Sequence, residues 1–289
     1  MNYQRVVSWT AGATLGVLVL AAAFLMVQIR KPPIVNAWYV ALGSSFAAGA
    51  GLGPLAPGSP WVSYRSINGY PQQLARLLRM SSFTDMTSSG STVPHILHGG
   101  QMLLGPQLDA LGPNTQLVTI TSGGNDVSYV GDLGAVAAVN RAGVVGNAVR
   151  LFWNGPQPVE RRAFAGLAAN LKATIQEIRK RSPAAKIVVV TYPVIIPGTG
   201  TCPTLGISNE QASLMRAVGI KLAQTTSDTA TVLGATVVNM AALSAGHDAC
   251  SSDPWVNGFA PKDGAIFHPT LAGAHATALA IAATIEQKE

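Results

Sequence analysis

Three short turns of small polar residues each follow an apolar run, and one histidine stands near the far end of the chain. The first turn is Gly43-Ser44-Ser45, after Tyr39-Val40-Ala41-Leu42; the second is Ser89-Gly90-Ser91-Thr92; the third is Ser122-Gly123-Gly124-Asn125-Asp126, after Gln116 to Thr121. A strand that ends in Gly-Ser-Ser puts a hydroxyl at the carboxyl edge of a sheet, where open α/β sheets carry their sites. His268 follows Asp263-Gly264-Ala265-Ile266-Phe267 and precedes Pro269-Thr270. Proline suits the first turn of a helix, so His268 falls at a loop–helix junction, from which an imidazole can reach a serine at a strand edge. A serine hydroxyl is a poor nucleophile until a base stands beside it, and that pairing is the chemistry these residues offer. The plainer alternative is a strand followed by a serine-bearing loop, with a surface histidine near a helix start.

The elements that must position these residues alternate in type. Strands are predicted at Trp38–Leu42, Thr84–Ser88, Gln116–Thr121, Lys186–Tyr192 and Thr236–Met240, from β-branched and apolar runs bounded by Gly, Pro and Asn. Between them come a helix at Pro71–Leu78, a second starting near Val93, and a helix pair or loose insertion over Gly131–Asn154. Long helices are predicted at Glu160–Arg181 and Asn209–Ala230, and a closing one at Thr270–Glu286. In the helix before Ser182-Pro183, Phe164, Leu167, Leu171, Ile175 and Ile178 recur at steps of three and four. Strand–helix alternation predicts one doubly wound α/β domain with a mostly parallel sheet and its site along one edge.

The 289 residues are 48% hydrophobic and only 11% charged, a balance that fits an exported or envelope protein. The formal charge is +6, but Arg5, Arg30 and Lys31 flank an uncharged run from Val6 to Ile29, and without them 16 basic residues face 13 acidic ones. No basic cluster with interleaved aromatics is present, which argues against a nucleic-acid partner. Val6–Ile29 is long enough to span a bilayer. Residues 1–30 are therefore read as a signal anchor, with a cleaved signal peptide as the alternative, 31–37 as a Pro-rich linker and 38–289 as the body. The two cysteines, Cys202 and Cys250, lie beyond that run; an even count in an exported chain predicts a disulfide. This places the body outside the cytoplasmic membrane, anchored or secreted. The chain lacks H-E-x-x-H and cysteine-rich metal spacing, so neither metal nor cofactor is expected; His95 and His98 are read as cleft-lining or solvent-facing. There is no G-x-S-x-G elbow, against an ordinary α/β-hydrolase.

Taken together, the blocks resemble the SGNH hydrolases, or GDSL esterases and lipases, and in particular their secreted actinobacterial branch. Gly43-Ser44-Ser45-Phe46-Ala47-Ala48-Gly49 resembles that branch's G-D-S-Y-A-A-G. Gly90 follows the second strand, Gly123-Gly124-Asn125-Asp126 matches G-x-N-D, and Asp263–Pro269 resembles the histidine block. Gly246-His247-Asp248-Ala249-Cys250 and Pro254-Trp255-Val256-Asn257-Gly258 form a fifth match. The likeness runs from Trp38 to the end, and it implies a single three-layer α/β/α domain.

The resemblance also implies roles. Ser45 is the nucleophile and His268 its base; the backbone N–H groups of Ser45 and Gly90 and the Asn125 side-chain amide form the oxyanion hole. Three departures stand out. Ser44 replaces the usual Asp, and Ser89 stands where the branch often has a disulfide cysteine. Ala265 occupies the place of the acid, three residues before the histidine. That leaves two arrangements: Asp263 as the acid, or a Ser–His dyad with a backbone carbonyl holding the other ring nitrogen. The expectation is a monomeric serine ester hydrolase acting on a lipid ester, a small acyl ester or an acetylated glycan, with a catalytically impaired binding module of the same fold as the alternative. Gly51–Pro60 and Leu151-Phe152-Trp153 lean toward an apolar acyl chain.

Overall fold

The computed structural model describes residues 32–141 and 143–286, together with 16–17, 19–24, 26–27 and 29. The expected membrane segment at 6–29 falls largely outside the described residues; among those described, no helix is long and apolar enough to cross a membrane.

Five strands form one parallel sheet: β1 (Tyr39–Gly43), β2 (Phe83–Asp85), β3 (Leu117–Thr121), β4 (Lys186–Val190) and β5 (Thr236–Val238). Their order is β2-β1-β3-β4-β5, and every neighbouring pair is parallel. The order reverses between β1 and β3, the crevice where open sheets of this winding bind ligands. The turns that hold Ser45 and Asn125 open at that crevice.

Alternation along each strand explains the two faces of the sheet. Val40, Leu42, Val118, Ile120, Ile187 and Val189 face one apolar core, and Tyr39, Ala41, Leu117, Val188, Val190 and Val238 face another. The helices in chain order are α1 (Ser45–Ala48), α2 (Tyr70–Leu77), α3 (Val93–His98), α4 (Tyr129–Val139), α5 (Val144–Phe152), α6 (Phe164–Arg181), α7 (Asn209–Val232), α8 (Met240–Leu243) and α9 (Leu271–Glu286). Residues of α2 and α9 pack into the second core; those of α3, α4, α6 and α7 pack into the first. The result is helix, sheet, helix in three layers.

The insertion at 131–154 is the helix pair α4–α5. Helix α5 presents its apolar stripe to solvent rather than to a core: Val144, Val145, Leu151 and Phe152 are all exposed, while Gly146 is its buried residue. Cys202 and Cys250 form a disulfide across a sequence separation of 48. It joins the long segment after β4 to the segment that precedes the histidine block.

Candidate active site

Ser45 is the first residue of α1, directly after β1, and is buried. Gly43 makes that abrupt join possible. Its φ is +144°, and a Cβ there would overlap the Thr121 carbonyl oxygen of β3. A glycine lets the two strand ends close up, which brings the turn after β1 against the turn after β3. Ser44, fully buried behind the nucleophile position, has its Oγ 2.7 Å from the Tyr192 hydroxyl. The usual aspartate at this place would be a buried charge; serine and tyrosine form a neutral pair instead, and burial raises the Tyr192 pKa, with the Ser44 bond opposing it.

Ser45 and His268 are 223 residues apart in sequence, and the structure joins them: His268 Nε2 lies 2.7 Å from Ser45 Oγ. The other ring nitrogen, Nδ1, lies 2.7 Å from the Ile266 carbonyl oxygen. A carbonyl only accepts, so Nδ1 carries the hydrogen in the neutral ring and Nε2 is left to accept from the serine hydroxyl. Burial holds the His268 pKa below its ordinary value of 6.5, against the Ile266 bond, which acts to raise it. Both the lowered pKa and the Nδ1 bond favour the neutral ring with Nε2 as acceptor.

At Nδ1 the structure places the Ile266 carbonyl. Asp263 is bonded elsewhere. Its carboxylate accepts the Leu271 N–H, at 3.0 Å, where an anion complements the exposed donors of a helix start. Residue 263 is directed into α9 because the chain turns between it and the histidine. Phe267, fully buried, has φ +55°, a left-handed conformation unusual for a bulky residue. That reversal puts the Ile266 carbonyl against the ring of the residue two positions later. The loop is stitched from outside by Asn257, whose N–H donates to the His268 carbonyl at 2.9 Å and whose side-chain amide donates to the Asp263 carbonyl. The ring of Phe46 lies 5.0 Å from the imidazole and 4.2 Å from Tyr192, centroid to centroid.

Gly90 has φ +81°, and a Cβ there would meet the Gln101 amide; only glycine fits this turn without strain. Asn125 Nδ2 donates to the Ser91 carbonyl at 2.8 Å. One hydrogen of the amide is thereby fixed, leaving the second available. The neighbouring Asp126 accepts the Val93 N–H with both oxygens, each at 3.1 Å, and burial raises its pKa against that bond. His95 Nδ1 accepts the Thr92 N–H at 3.1 Å and closes the capping box of α3. Pattern in the sequence did not single out Tyr192, which stands just past the end of β4, or the Ile266 carbonyl, a backbone atom that leaves no motif.

A buried serine at a strand end thus lies within hydrogen-bond distance of an imidazole at the switch point of a parallel sheet. The sequence profile of the GDSL-like lipase/acylhydrolase family matches residues 41–276, and the chain belongs to that family. It is similar to Lipase 2 of Streptomyces coelicolor, at 32% identity over 223 residues, covering 74% of this chain and 73% of that one. Among solved structures it resembles phospholipase A1 from Streptomyces albidoflavus NA297, with TM-score 0.68, 26% identity, and coverage of 86% of this chain and 99% of that one. The extracellular lipase of Streptomyces rimosus gives TM-score 0.66 and 26% identity, with coverage of 85% and 98%. The chain is a carboxylic ester hydrolase of this family and resembles its actinobacterial lipases.

Proposed function

We propose that this enzyme hydrolyses an apolar ester through an acyl-Ser45 intermediate, with a Ser45–His268 dyad rather than a triad. The observation that carries the reading is the continuous contact from Ser45 Oγ to His268 Nε2 and from Nδ1 to the Ile266 carbonyl. In acylation, Ser45 Oγ attacks the ester carbonyl carbon while Nε2 takes the hydroxyl proton. The tetrahedral intermediate collapses, its C–O bond to the alcohol breaks, and Nε2–H protonates the leaving oxygen. Deacylation repeats the sequence with water as the nucleophile, releasing the acid and restoring the serine. Charge on the former carbonyl oxygen is received by the Ser45 and Gly90 N–H groups and the free hydrogen of Asn125 Nδ2, each such donor being worth about 3–4 kcal/mol in the transition state.

The relatives' names, lipase and phospholipase A1, favour a lipid ester as substrate class. The Val6–Ile29 run and the kinship to an extracellular lipase support a body, residues 38–289, that works outside the cytoplasmic membrane, tethered by the segment or released from it. The deciding experiment is turnover of p-nitrophenyl esters of graded acyl length by the wild type and Ser45→Ala. The variant is expected to lose about 10⁴-fold or more in kcat; equal rates would remove Ser45 from the mechanism. A fluorophosphonate probe should label the wild type at Ser45 and leave Ser45→Ala unlabelled.

A further inference from the structure

The proposed oxyanion donors come from three separate turns, and their relative placement must be fixed to a fraction of an ångström. One buried side chain ties the backbone of the first turn to the Ser91 hydroxyl of the second. Gln107 lies between α3 and β3 in a short 3-10 turn and is 3% exposed. Its Oε1 accepts the Gly43 N–H at 2.7 Å. Its Nε2 donates to the Gly43 carbonyl at 3.0 Å and to Ser91 Oγ at 3.2 Å.

This position has a structural cause. Strand β2 pairs with β1 only through Tyr39, Val40 and Ala41; past it the Ser88 N–H still donates to the Gly43 carbonyl at 3.0 Å, while the Gly43 N–H goes to the Gln107 side chain. The carboxamide thus supplies the acceptor for that N–H and adds a second donor to the carbonyl. Buried backbone groups left without partners are costly, which explains why a polar side chain is retained in an otherwise apolar layer. Its partners also radiate to the site. Gly43 is two residues before Ser45. Ser91 directly follows Gly90, and its carbonyl accepts the Asn125 amide.

Resting on the dyad reading above, we infer that Gln107 is a positioning residue that fixes the three oxyanion donors relative to one another. It touches no reacting atom. It acts on the transition state alone, because only there does a full charge sit among the three donors.

The test compares the full chain with Gln107→Met, which keeps the volume and loses all three bonds. A second variant, Gln107→Glu, keeps an acceptor for the Gly43 N–H and loses both donated bonds. Active sites are counted by fluorophosphonate titration, and kinetics with a soluble short-chain ester are run well below each variant's Tm. Both variants are expected to lose about 30- to 100-fold in kcat, the scale of an ångström-level misplacement. KM stays within about twofold, affinity for a boronic-acid transition-state analogue falls with kcat, and the acid limb of the pH profile does not move. A merely structural role lowers Tm and leaves kcat of the titrated sites unchanged, and that result overturns the inference. So does a rise in KM at constant kcat. If Gln107→Met does not fold, Gln107→Glu decides. Ser45→Ala separates the two readings: if it still turns over, the dyad is wrong, whereas an inactive Ser45→Ala beside a fully active Gln107 variant removes Gln107 alone.

Discussion

In the proposed mechanism His268 takes a proton from Ser45 with a peptide carbonyl at its other ring nitrogen. A carbonyl dipole stabilises an imidazolium less than a full carboxylate does, so the ring pKa is set mainly by burial, which lowers it from 6.5. Catalysis needs the neutral ring, and the acid limb of kcat/KM should fall below pH 6.5, as a pH–rate profile on a soluble ester will show; a limb above that value contradicts the assignment. With the folded pKa depressed, the unfolded chain binds the proton more readily, so stability from this group is present above the unfolded pKa and lost as pH falls through the folded one. Asp263→Asn should leave kcat within about threefold, since no reacting proton passes through it; a loss of orders of magnitude, as in triads whose acid is removed, would restore Asp263 as the acid. The family resemblance pointed to Ser45, Gly90, Asn125 and His268. It did not mark Ile266, because its contribution is a backbone atom that any residue carries.

At the level of elements, the strands and long helices were legible because each has a burial pattern of its own period. The sheet residues alternate between two cores, and α6 buries Phe164, Leu167, Leu171, Ile175 and Ile178. Ends were less legible. The predicted helix from Glu160 begins as an α-helix at Phe164, after a separate 3-10 turn at Val159–Arg161; β2 spans three residues rather than five, although the Ser88 N–H past its end still reaches the Gly43 carbonyl. The pairing of Gln107 with Gly43 spans 64 residues and has no local pattern to betray it. Asp263 belongs at this scale, as an acceptor at the start of α9. Asp263→Ala should cost about 1 kcal/mol, typical of losing a helix-terminal acceptor, read as a small drop in Tm with kcat near wild type. Helix α5 makes the opposite case. Leu151 and Phe152 look like core or acyl-chain contacts by composition, but they are 78% and 88% exposed. Phe152→Ser should therefore change stability by no more than about 0.5 kcal/mol, measured by urea unfolding.

Across the whole molecule, the disulfide ties the segment after β4 to the one leading into the histidine loop. Closing a loop of 48 residues contributes about 4 kcal/mol in the chain-entropy model. Replacing both cysteines by alanine should lower Tm by roughly 10 °C for a chain of this size, while kcat at low temperature stays close to wild type; an unchanged Tm would show that the unfolded chain is not constrained by the link. The amino-acid sequence by itself determined the α/β class and the oxidisable cysteine pair, because these are written as local periodicity and local residue chemistry. Only the tertiary structure decided which group meets the second nitrogen of His268 and which side chain ties the Gly43 and Ser91 turns together. Those places fall to the Ile266 carbonyl, set by a left-handed phenylalanine, and to the Gln107 carboxamide, groups that meet their partners only once distant turns are folded against one another.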